Sequence, residues 1–192
     1  MNIANKLTIL RIILTFVFMF FLFVRGPWAK VAALIIFISA ALSDYLDGMF
    51  AKKRNMITDF GKLMDPIADK ILVLAAFAVF VQMQLIEAWM FVIIMSREII
   101  ITSLRLFALN KGRVLSASKA GKHKTVSQMA VIFLILCFIV LKEIMLAYFT
   151  WSPGWEKFFR EGIYFLMLLT VGFTLYSGVS YLWENRKIIA RF

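Results

Sequence analysis

The sequence predicts an all-α integral membrane protein with six transmembrane helices. Of its 192 residues 62% are hydrophobic, and the mean hydropathy is +0.87, values that exclude an ordinary soluble domain. Six apolar runs are long enough, or nearly so, to cross a hydrocarbon core of about 30 Å at about 1.5 Å per residue. They span residues 7–24, 28–51, 63–83, 88–109, 125–141 and 163–183. Because these runs use most of the chain, residues 1–192 are expected to form one membrane domain.

The positive charge is distributed unevenly over this predicted topology. With the amino terminus inside, most lysines and arginines fall in cytoplasmic links and helix ends, and Arg25, Lys30, Lys142, Lys157 and Arg160 lie outside. This asymmetry follows the positive-inside rule and predicts that both termini are cytoplasmic. The net charge of +11 therefore indicates attraction to anionic lipid head groups and phosphorylated substrates, and not to nucleic acid. The short chain suits a bacterial plasma membrane.

The links between the helices are predicted from their turn-forming and charged residues. Residues 25–30 contain a Gly-Pro pair and predict a tight external turn. Residues 82–87 form a short external link, which should make the third and fourth helices antiparallel neighbours. Residues 110–124 are predicted to be a cytoplasmic linker, and residues 142–162 the longest external link.

Four aspartates stand inside or beside predicted membrane helices, where a carboxylate is costly unless it is paired or binds a cation. Asp44 and Asp47 are three residues apart, and Asp65 and Asp69 are four apart, so each pair projects from one face of its helix. The pairs are placed symmetrically about the polar link 52–59. If that link turns a helical hairpin, the carboxylates meet at one depth and suit about two hard cations, Mg²⁺ or Mn²⁺.

Small residues beside the aspartates favour a ligand site. Gly48 and Ala51 follow Asp44 by four and seven residues. Gly61 precedes Asp65 by four residues, so both acidic faces leave space next to the metals. Metals, space and cations together are what phosphoryl transfer requires. The structural alternative is a hairpin sealed by ion pairs between the aspartates and Lys52, Lys53, Lys62 and Lys70.

The pattern Asp44-x2-Asp47-Gly48-x2-Ala51-Lys52-x8-Gly61-x3-Asp65-x3-Asp69 resembles the signature of the CDP-alcohol phosphotransferase family. These membrane enzymes join a CDP-linked donor to an alcohol and release CMP. Eight positions over 26 residues make the match specific. The family usually has arginine where this chain has Lys52, and lysine cannot make the two-pronged contact of a guanidinium.

The resemblance implies a role for each residue of the motif. Asp44, Asp47 and Asp65 would hold the metals, and Asp69 would complete the metal site and act as general base on the acceptor hydroxyl. The implied CDP-binding residues are Asn5, Thr8, Asp44, Gly48, Ala51, Lys52 and Gly61. For the first-helix polar residues Asn5, Thr8 and Arg11, an interfacial cap remains the alternative.

Basic residues of the fourth and fifth helices are expected to bind the acceptor. The segments SREIIITSLR and SASKAGKHKTVSQ are similar to those of the glycerol-phosphate branch of the family, where basic residues bind the acceptor's phosphate. The predicted acceptor residues are Arg105, Lys122, Lys124 and Thr125. Because Glu98 and Arg105 share a helix face, an internal ion pair between them is the structural alternative.

The function implied by the resemblance is transfer of a phosphatidyl group from CDP-diacylglycerol to sn-glycerol 3-phosphate, giving phosphatidylglycerol phosphate and CMP. The active site is expected to face the cytoplasm. Inositol phosphate, serine or phosphatidylglycerol remain alternative acceptors, of which the cationic residues disfavour serine. A divalent-cation transporter is a rival, although its carboxylates would have to span the membrane. A structural scaffold would leave the aspartates unexplained. Family analogy favours a homodimer.

Overall fold

The structure, a computed structural model, describes the backbone of residues 3–54, 59–111 and 119–189. Over these residues the chain forms six α-helices joined by links without regular structure, which confirms the all-α prediction for the described part. The helices are α1 (Ile3–Phe23), α2 (Pro27–Arg54), α3 (Asp59–Gln82), α4 (Ala88–Asn110), α5 (Lys119–Tyr148) and α6 (Pro153–Ile189).

Within the described ranges, two of the helices have the length and composition of membrane spans. These are the stretches His123–Tyr148 in α5 and Pro153–Arg186 in α6, with hydropathies of 2.7 and 1.6. Shorter apolar stretches occupy Thr8–Phe23, Pro27–Ser43 and Lys70–Gln82 of the first three helices. The helices are consistent with a membrane protein, whereas the six-span topology and the side on which the termini lie remain predictions.

The connection between α1 and α2 is a tight turn, as the Gly-Pro pair predicted. Gly26 has a φ of +106°, a conformation that side chains rarely adopt but glycine adopts readily. Pro27 then begins α2, at a position where its missing backbone N–H is not needed. Lys30 stabilises this turn, because its Nζ donates hydrogen bonds to the carbonyl oxygens of Leu22 at 2.5 Å and Val24 at 2.8 Å.

The short link predicted between the third and fourth helices is confirmed, because α3 ends at Gln82 and α4 begins at Ala88. The link predicted between the fifth and sixth helices is too long. The prediction of a loop over 142–162 is wrong, because α5 and α6 are separated by residues 149–152. The charges that suggested a solvated loop belong instead to the helix ends. Lys142 and Trp151 both donate to the carboxylate of Glu156 at 2.9 Å, which stabilises the short connection.

The chain divides into two compact units. The first consists of Met1–Val79 and Phe133–Glu156, and the second of Phe80–Ile132 and Lys157–Phe192. Each unit therefore combines segments that are distant in the sequence, and α3, α5 and α6 each contribute to both units.

In the first unit α1 packs against α2 through apolar side chains. The rings of Phe18 and Phe37, both buried, have centroids 5.6 Å apart. Ala33 and Ala40 are fully buried on α2 and lie seven residues apart on the same face of the helix. Small residues at these positions let the two helices approach each other closely.

In the second unit α4 packs against α6. The ring of Tyr181 on α6 is buried in a cluster with Ile101 and Ala108 of α4. Closer to the middle of both helices, a Cβ added at Gly178 would lie 3.2 Å from Cγ of Arg97. Gly178 thus allows the stem of an arginine to lie directly against the α6 backbone.

Candidate functional site

The four aspartates predicted to bind metal are borne by two consecutive helices. Asp44 and Asp47 are in α2, and Asp65 and Asp69 are in α3. Because each helix is continuous through its pair, the members of a pair are about one turn apart along the backbone. Their side chains lie outside the residues described in atomic detail, so the convergence of the carboxylates stays a prediction.

Aspartate oxygens are the ligands that Mg²⁺ and Mn²⁺ prefer, so the donor set of the motif suits the predicted cations. The described side chains, which exclude the four aspartates, contain no group of three or more histidine, cysteine, aspartate or glutamate residues that could hold a metal ion. The metal site at the motif stays a prediction.

Of the predicted CDP-binding residues, the structure describes the side chain of Thr8. It is 2% exposed and lies on the same face of α1 as the buried Arg11 and Thr15. The hydroxyl of Thr15 donates to the carbonyl of Arg11 at 2.9 Å. The first turns of α1 therefore carry a buried polar face. The side chains of Asn5, Asp44, Gly48, Ala51, Lys52 and Gly61 are outside the described part.

A buried ion network joins three helices of the second unit. Glu98 of α4 is 3% exposed and accepts hydrogen bonds from Nζ of Lys124 on α5 and, at 3.3 Å, from Nη1 of Arg97. Nη2 of Arg97 donates to the hydroxyl of Ser177 on α6 at 2.7 Å. Among the described residues, one carboxylate is thus shared by two cations, in buried surroundings where charge is poorly screened.

Arg105, the predicted acceptor residue on α4, is exposed and lies beside an aromatic ring. Its guanidinium carbon is 5.8 Å from the centroid of the Tyr181 ring, within the range of a cation–π interaction. The structural alternative paired Arg105 with Glu98. The structure gives Glu98 ion-pair partners in Lys124 and Arg97, and gives Arg105 an aromatic partner.

The other predicted acceptor residues belong to the first two turns of α5, which begins at Lys119, within the predicted linker 110–124. Lys124 is 4% exposed and bonded to Glu98. Thr125 is exposed, and its hydroxyl donates to the carbonyl of Gly121 at 3.1 Å. The side chain of Lys122 lies outside the described residues. Lys124 is therefore held in a fixed position, and Thr125 is accessible.

One face of α6 is polar and buried, a feature that the sequence interpretation missed. Five polar residues recur every three or four positions, and each is no more than 2% exposed. They are Thr170, Thr174, Ser177, Tyr181 and Asn185. Nε2 of Gln128 on α5 donates to the Thr174 hydroxyl at 3.4 Å, and Ser177 accepts from Arg97. The period of the polar residues was a usable signal that the sequence interpretation did not use.

A cavity of about 330 Å³ in the second unit lies near the start of α4. Its lining includes Met90 of α4 and Tyr164 of α6. Arg160 closes one side by donating to the carbonyl of Gln84 at 2.8 Å. The predicted acceptor residues with described side chains, Arg105, Lys124 and Thr125, are not among those that line this cavity.

Comparison with known proteins agrees with the resemblance seen in the motif. Residues 1–155 match the CDP-alcohol phosphatidyltransferase family, a range that includes all eight motif positions. The matched range ends before the polar face of α6.

Several curated bacterial proteins are similar over most of the chain. The CDP-diacylglycerol–glycerol-3-phosphate 3-phosphatidyltransferase of Bacillus subtilis is 37% identical over 183 residues, covering 83% of this chain and 95% of its own length. Proteins of the same name from Escherichia coli and Pseudomonas fluorescens are 32% and 30% identical, covering 94% and 100% of this chain and 93% and 95% of their own lengths. The motif, the family match and these relatives agree, and the chain belongs to the CDP-alcohol phosphatidyltransferase family.

Proposed function

We propose that this protein transfers the phosphatidyl group of CDP-diacylglycerol to sn-glycerol 3-phosphate, giving phosphatidylglycerol phosphate and CMP. The observation that carries the proposal is the eight-position motif from Asp44 to Asp69 on two consecutive helices. Relatives named for this activity align over 83%, 94% and 100% of the chain. The enzyme is accordingly a CDP-diacylglycerol-dependent phosphatidyltransferase.

In the proposed reaction a hydroxyl oxygen of the acceptor bonds to the phosphorus that carries the diacylglycerol. The bond between that phosphorus and the oxygen bridging to CMP breaks, and CMP leaves with the bonding electrons. Asp69 accepts the proton of the attacking hydroxyl as general base, a step that typically contributes about 10²–10⁴-fold to the rate. No covalent enzyme intermediate is required.

Asp44, Asp47, Asp65 and Asp69 would hold the two divalent cations, Mg²⁺ or Mn²⁺. When bound, such ions neutralise the charge that develops on phosphate oxygens. The contribution of the protein is to bear each carboxylate pair on a continuous helix at a fixed spacing. Asn5, Thr8, Asp44, Gly48, Ala51, Lys52 and Gly61 would bind the CDP group.

Arg105, Lys122, Lys124 and Thr125 would bind the phosphate of the acceptor. The described members support this assignment in different ways. Arg105 and Thr125 are exposed and accessible to a ligand, and Lys124 is fixed by its bond to Glu98. Cationic residues in these positions favour an acceptor that carries phosphate, and so favour sn-glycerol 3-phosphate over serine.

The topology that suits this function has six membrane spans, both termini in the cytoplasm and the active site open to the cytoplasm. The basic links and helix ends support it through the positive-inside rule. Small residues on the helix faces are compatible with a homodimer. We place the enzyme in a bacterial plasma membrane, because the similar curated proteins are bacterial.

The proposal is tested by measuring CMP release from CDP-diacylglycerol by the purified protein, with and without sn-glycerol 3-phosphate. We expect release to depend on the acceptor and to be matched by formation of phosphatidylglycerol phosphate. Inositol phosphate, serine and phosphatidylglycerol are tested in parallel, and release with one of these alone would assign a different acceptor. Uptake of Mn²⁺ by vesicles that contain the protein, without CMP release, would instead favour a divalent-cation transporter.

A further inference from the structure

The cavity near the start of α4 is not used by the proposed function. Its volume of about 330 Å³ is in the range of pockets that hold small ligands. The residues that line it come from the link between α3 and α4, from the first turn of α4 and from the first half of α6. All of them belong to the second unit, so the cavity is a feature of that unit alone.

The wall that the link contributes is held in place by hydrogen bonds. Gln84 has a φ of +55°, which is uncommon for a residue other than glycine. The backbone N–H of Leu85 donates to the carbonyl of Phe80 at 2.9 Å, and Nη1 of Arg160 donates to the carbonyl of Gln84 at 2.8 Å. The cavity is therefore formed before a ligand binds, which lowers the cost of ordering on binding.

The cavity has an apolar base and a charged mouth. Met90 of α4 and Met167 of α6 line the base and are fully buried. Methionine side chains adapt to the shape of an apolar group that packs against them. Glu87, Arg160 and Glu161 line the mouth and are exposed. Such a cavity suits an amphiphile, with an apolar part at the base and a charged headgroup at the mouth.

The carboxylates at the mouth favour a cationic headgroup. Glu87 is the N-cap residue of α4, but in the part of the chain that the structure describes its side chain makes no capping hydrogen bond. Glu161 has a long ion pair with Lys157, at 3.9 Å between largely exposed side chains, which is a weak interaction. A primary ammonium carries three N–H donors and suits two carboxylates that line one cavity.

Exposed aromatic side chains near the cavity indicate a membrane lipid as the source of this headgroup. Trp89 precedes the lining residue Met90, and Phe158 and Tyr164 lie near the start of α6. All three are exposed. Tryptophan and tyrosine are enriched where a membrane protein crosses the level of the lipid headgroups. The mouth of the cavity is thus expected at the depth where headgroups are found.

We propose that this cavity binds a membrane lipid whose headgroup carries a primary ammonium. The carboxylates of Glu87 and Glu161 accept hydrogen bonds from the ammonium, and the glycerol and the upper part of an acyl chain pack on Met90 and Met167. The link 82–87 is predicted to be external, whereas the active site is expected to face the cytoplasm. The lipid is therefore a bound ligand and not a substrate, and the inference does not depend on the proposed reaction.

The test compares two lipids that differ only in the headgroup. Lysophosphatidylethanolamine and lysophosphatidylglycerol of one chain length share the phosphate and the acyl chain, and the first alone carries an ammonium. The unfolding temperature of the full-length protein in a neutral detergent, measured against lipid concentration, gives a Kd for each. We expect the ethanolamine lipid to bind the wild type more tightly. In Glu87→Gln/Glu161→Gln its Kd should rise about 10-fold or more, because hydrogen bonds between charged groups are lost.

The matched control is Glu184→Gln, which removes an exposed carboxylate near the other end of α6 and should leave both Kd values unchanged. Without lipid, the unfolding temperature of the double variant should stay close to that of the wild type, since both carboxylates are exposed. Equal Kd values for the two lipids in the wild type, or an unchanged preference in the double variant, would overturn the proposal. Equal stabilisation by free ethanolamine would also overturn it, because the ligand would then be a soluble amine and not a lipid.

Discussion

The two compact units of this chain place their polar residues differently. In the first unit α1 and α2 meet through Phe18, Phe37 and small alanines, and the residues expected to do chemistry are concentrated in one short motif. In the second unit α4, α5 and α6 are joined by buried polar contacts, including those of Glu98 with Lys124 and of Arg97 with Ser177.

This difference determines which residues of a site can be identified from the sequence alone. The aspartates of the motif lie within 26 residues, so their spacing alone indicates the chemistry. The polar residues of the second unit come from three helices, and no local spacing relates those on one helix to those on another. We therefore expect substitutions in the motif to act on the reaction, and substitutions in the second unit to act on stability and on the acceptor.

The largest effect is expected in the motif of the first unit. Asp44→Asn, Asp47→Asn or Asp65→Asn should each abolish turnover, because a bound cation contributes several kcal/mol to stabilising the transition state, or about 10³-fold or more in rate. The protein should still insert and fold. The matched control is Asp59→Asn, since Asp59 begins α3 outside the motif. Chelation should inactivate the wild type, and full activity in a thoroughly chelated preparation would refute the metal site.

A smaller loss is expected for the fourth aspartate of the motif. Asp69→Asn should lower kcat by about 10²–10⁴-fold or more and leave donor binding largely intact, because a general base acts in the chemical step. The measurement is steady-state kinetics with CDP-diacylglycerol as the varied substrate. An unaltered kcat would remove Asp69 from the role of base.

Breaking an ion pair is expected to lower the free energy of unfolding more in the second unit than in the first. Glu98→Gln should destabilise the protein by about 3–5 kcal/mol, because it removes the charge of a carboxylate from a buried ion pair with Lys124. Lys142→Met in the first unit breaks a bridge to Glu156 whose side chains are 31% and 22% exposed, and it should cost about 1 kcal/mol or less. Denaturant unfolding of the purified variants measures both. The double variant Glu98→Gln/Lys124→Met should recover much of the loss, and failure to recover would contradict the pairing.

The smallest effect concerns the close approach of α4 to α6. Alanine is favoured over glycine inside a helix by about 0.5–1 kcal/mol, and Gly172→Ala should show this gain because nothing lies within 4 Å of the added Cβ. Gly178→Ala should show little gain or a loss, because its Cβ would press on Cγ of Arg97 at 3.2 Å. Equal stabilisation by both substitutions would mean that Gly178 is not needed for this contact.

The number and order of the helices could be predicted from hydropathy, but the lengths of α5 and α6 could not. The sequence interpretation ended these helices where charged residues interrupt the apolar run. Helix formation does not require apolar residues, and Lys142 and Glu156 are accommodated by pairing with each other. The extra turns are thus stabilised by contacts between residues fourteen positions apart, which a local window does not detect.

The motif positions could be found from the sequence, whereas the partners of Glu98 and Arg105 could not. Both residues lie on one face of α4, and the sequence left open whether they pair with each other. The structure instead gives Glu98 a partner 26 residues away and Arg105 a partner on α6. Such partners depend on which helices are neighbours in space. The polar face of α6 is different, because its period was visible in the sequence but was not used.

The central claim is that the acceptor is recognised in the second unit by the cationic group around Arg105. Its most direct test is Arg105→Ala with both substrates varied in turn. A lost charge-assisted hydrogen bond of about 1.5–3 kcal/mol should raise the KM for sn-glycerol 3-phosphate roughly 10- to 150-fold and change the KM for CDP-diacylglycerol much less. Arg186→Ala is the control, since Arg186 is exposed on α6 and lies over Trp183. Equal weakening of donor and acceptor, or recovery of acceptor affinity in Arg105→Ala/Glu98→Gln, would contradict the claim.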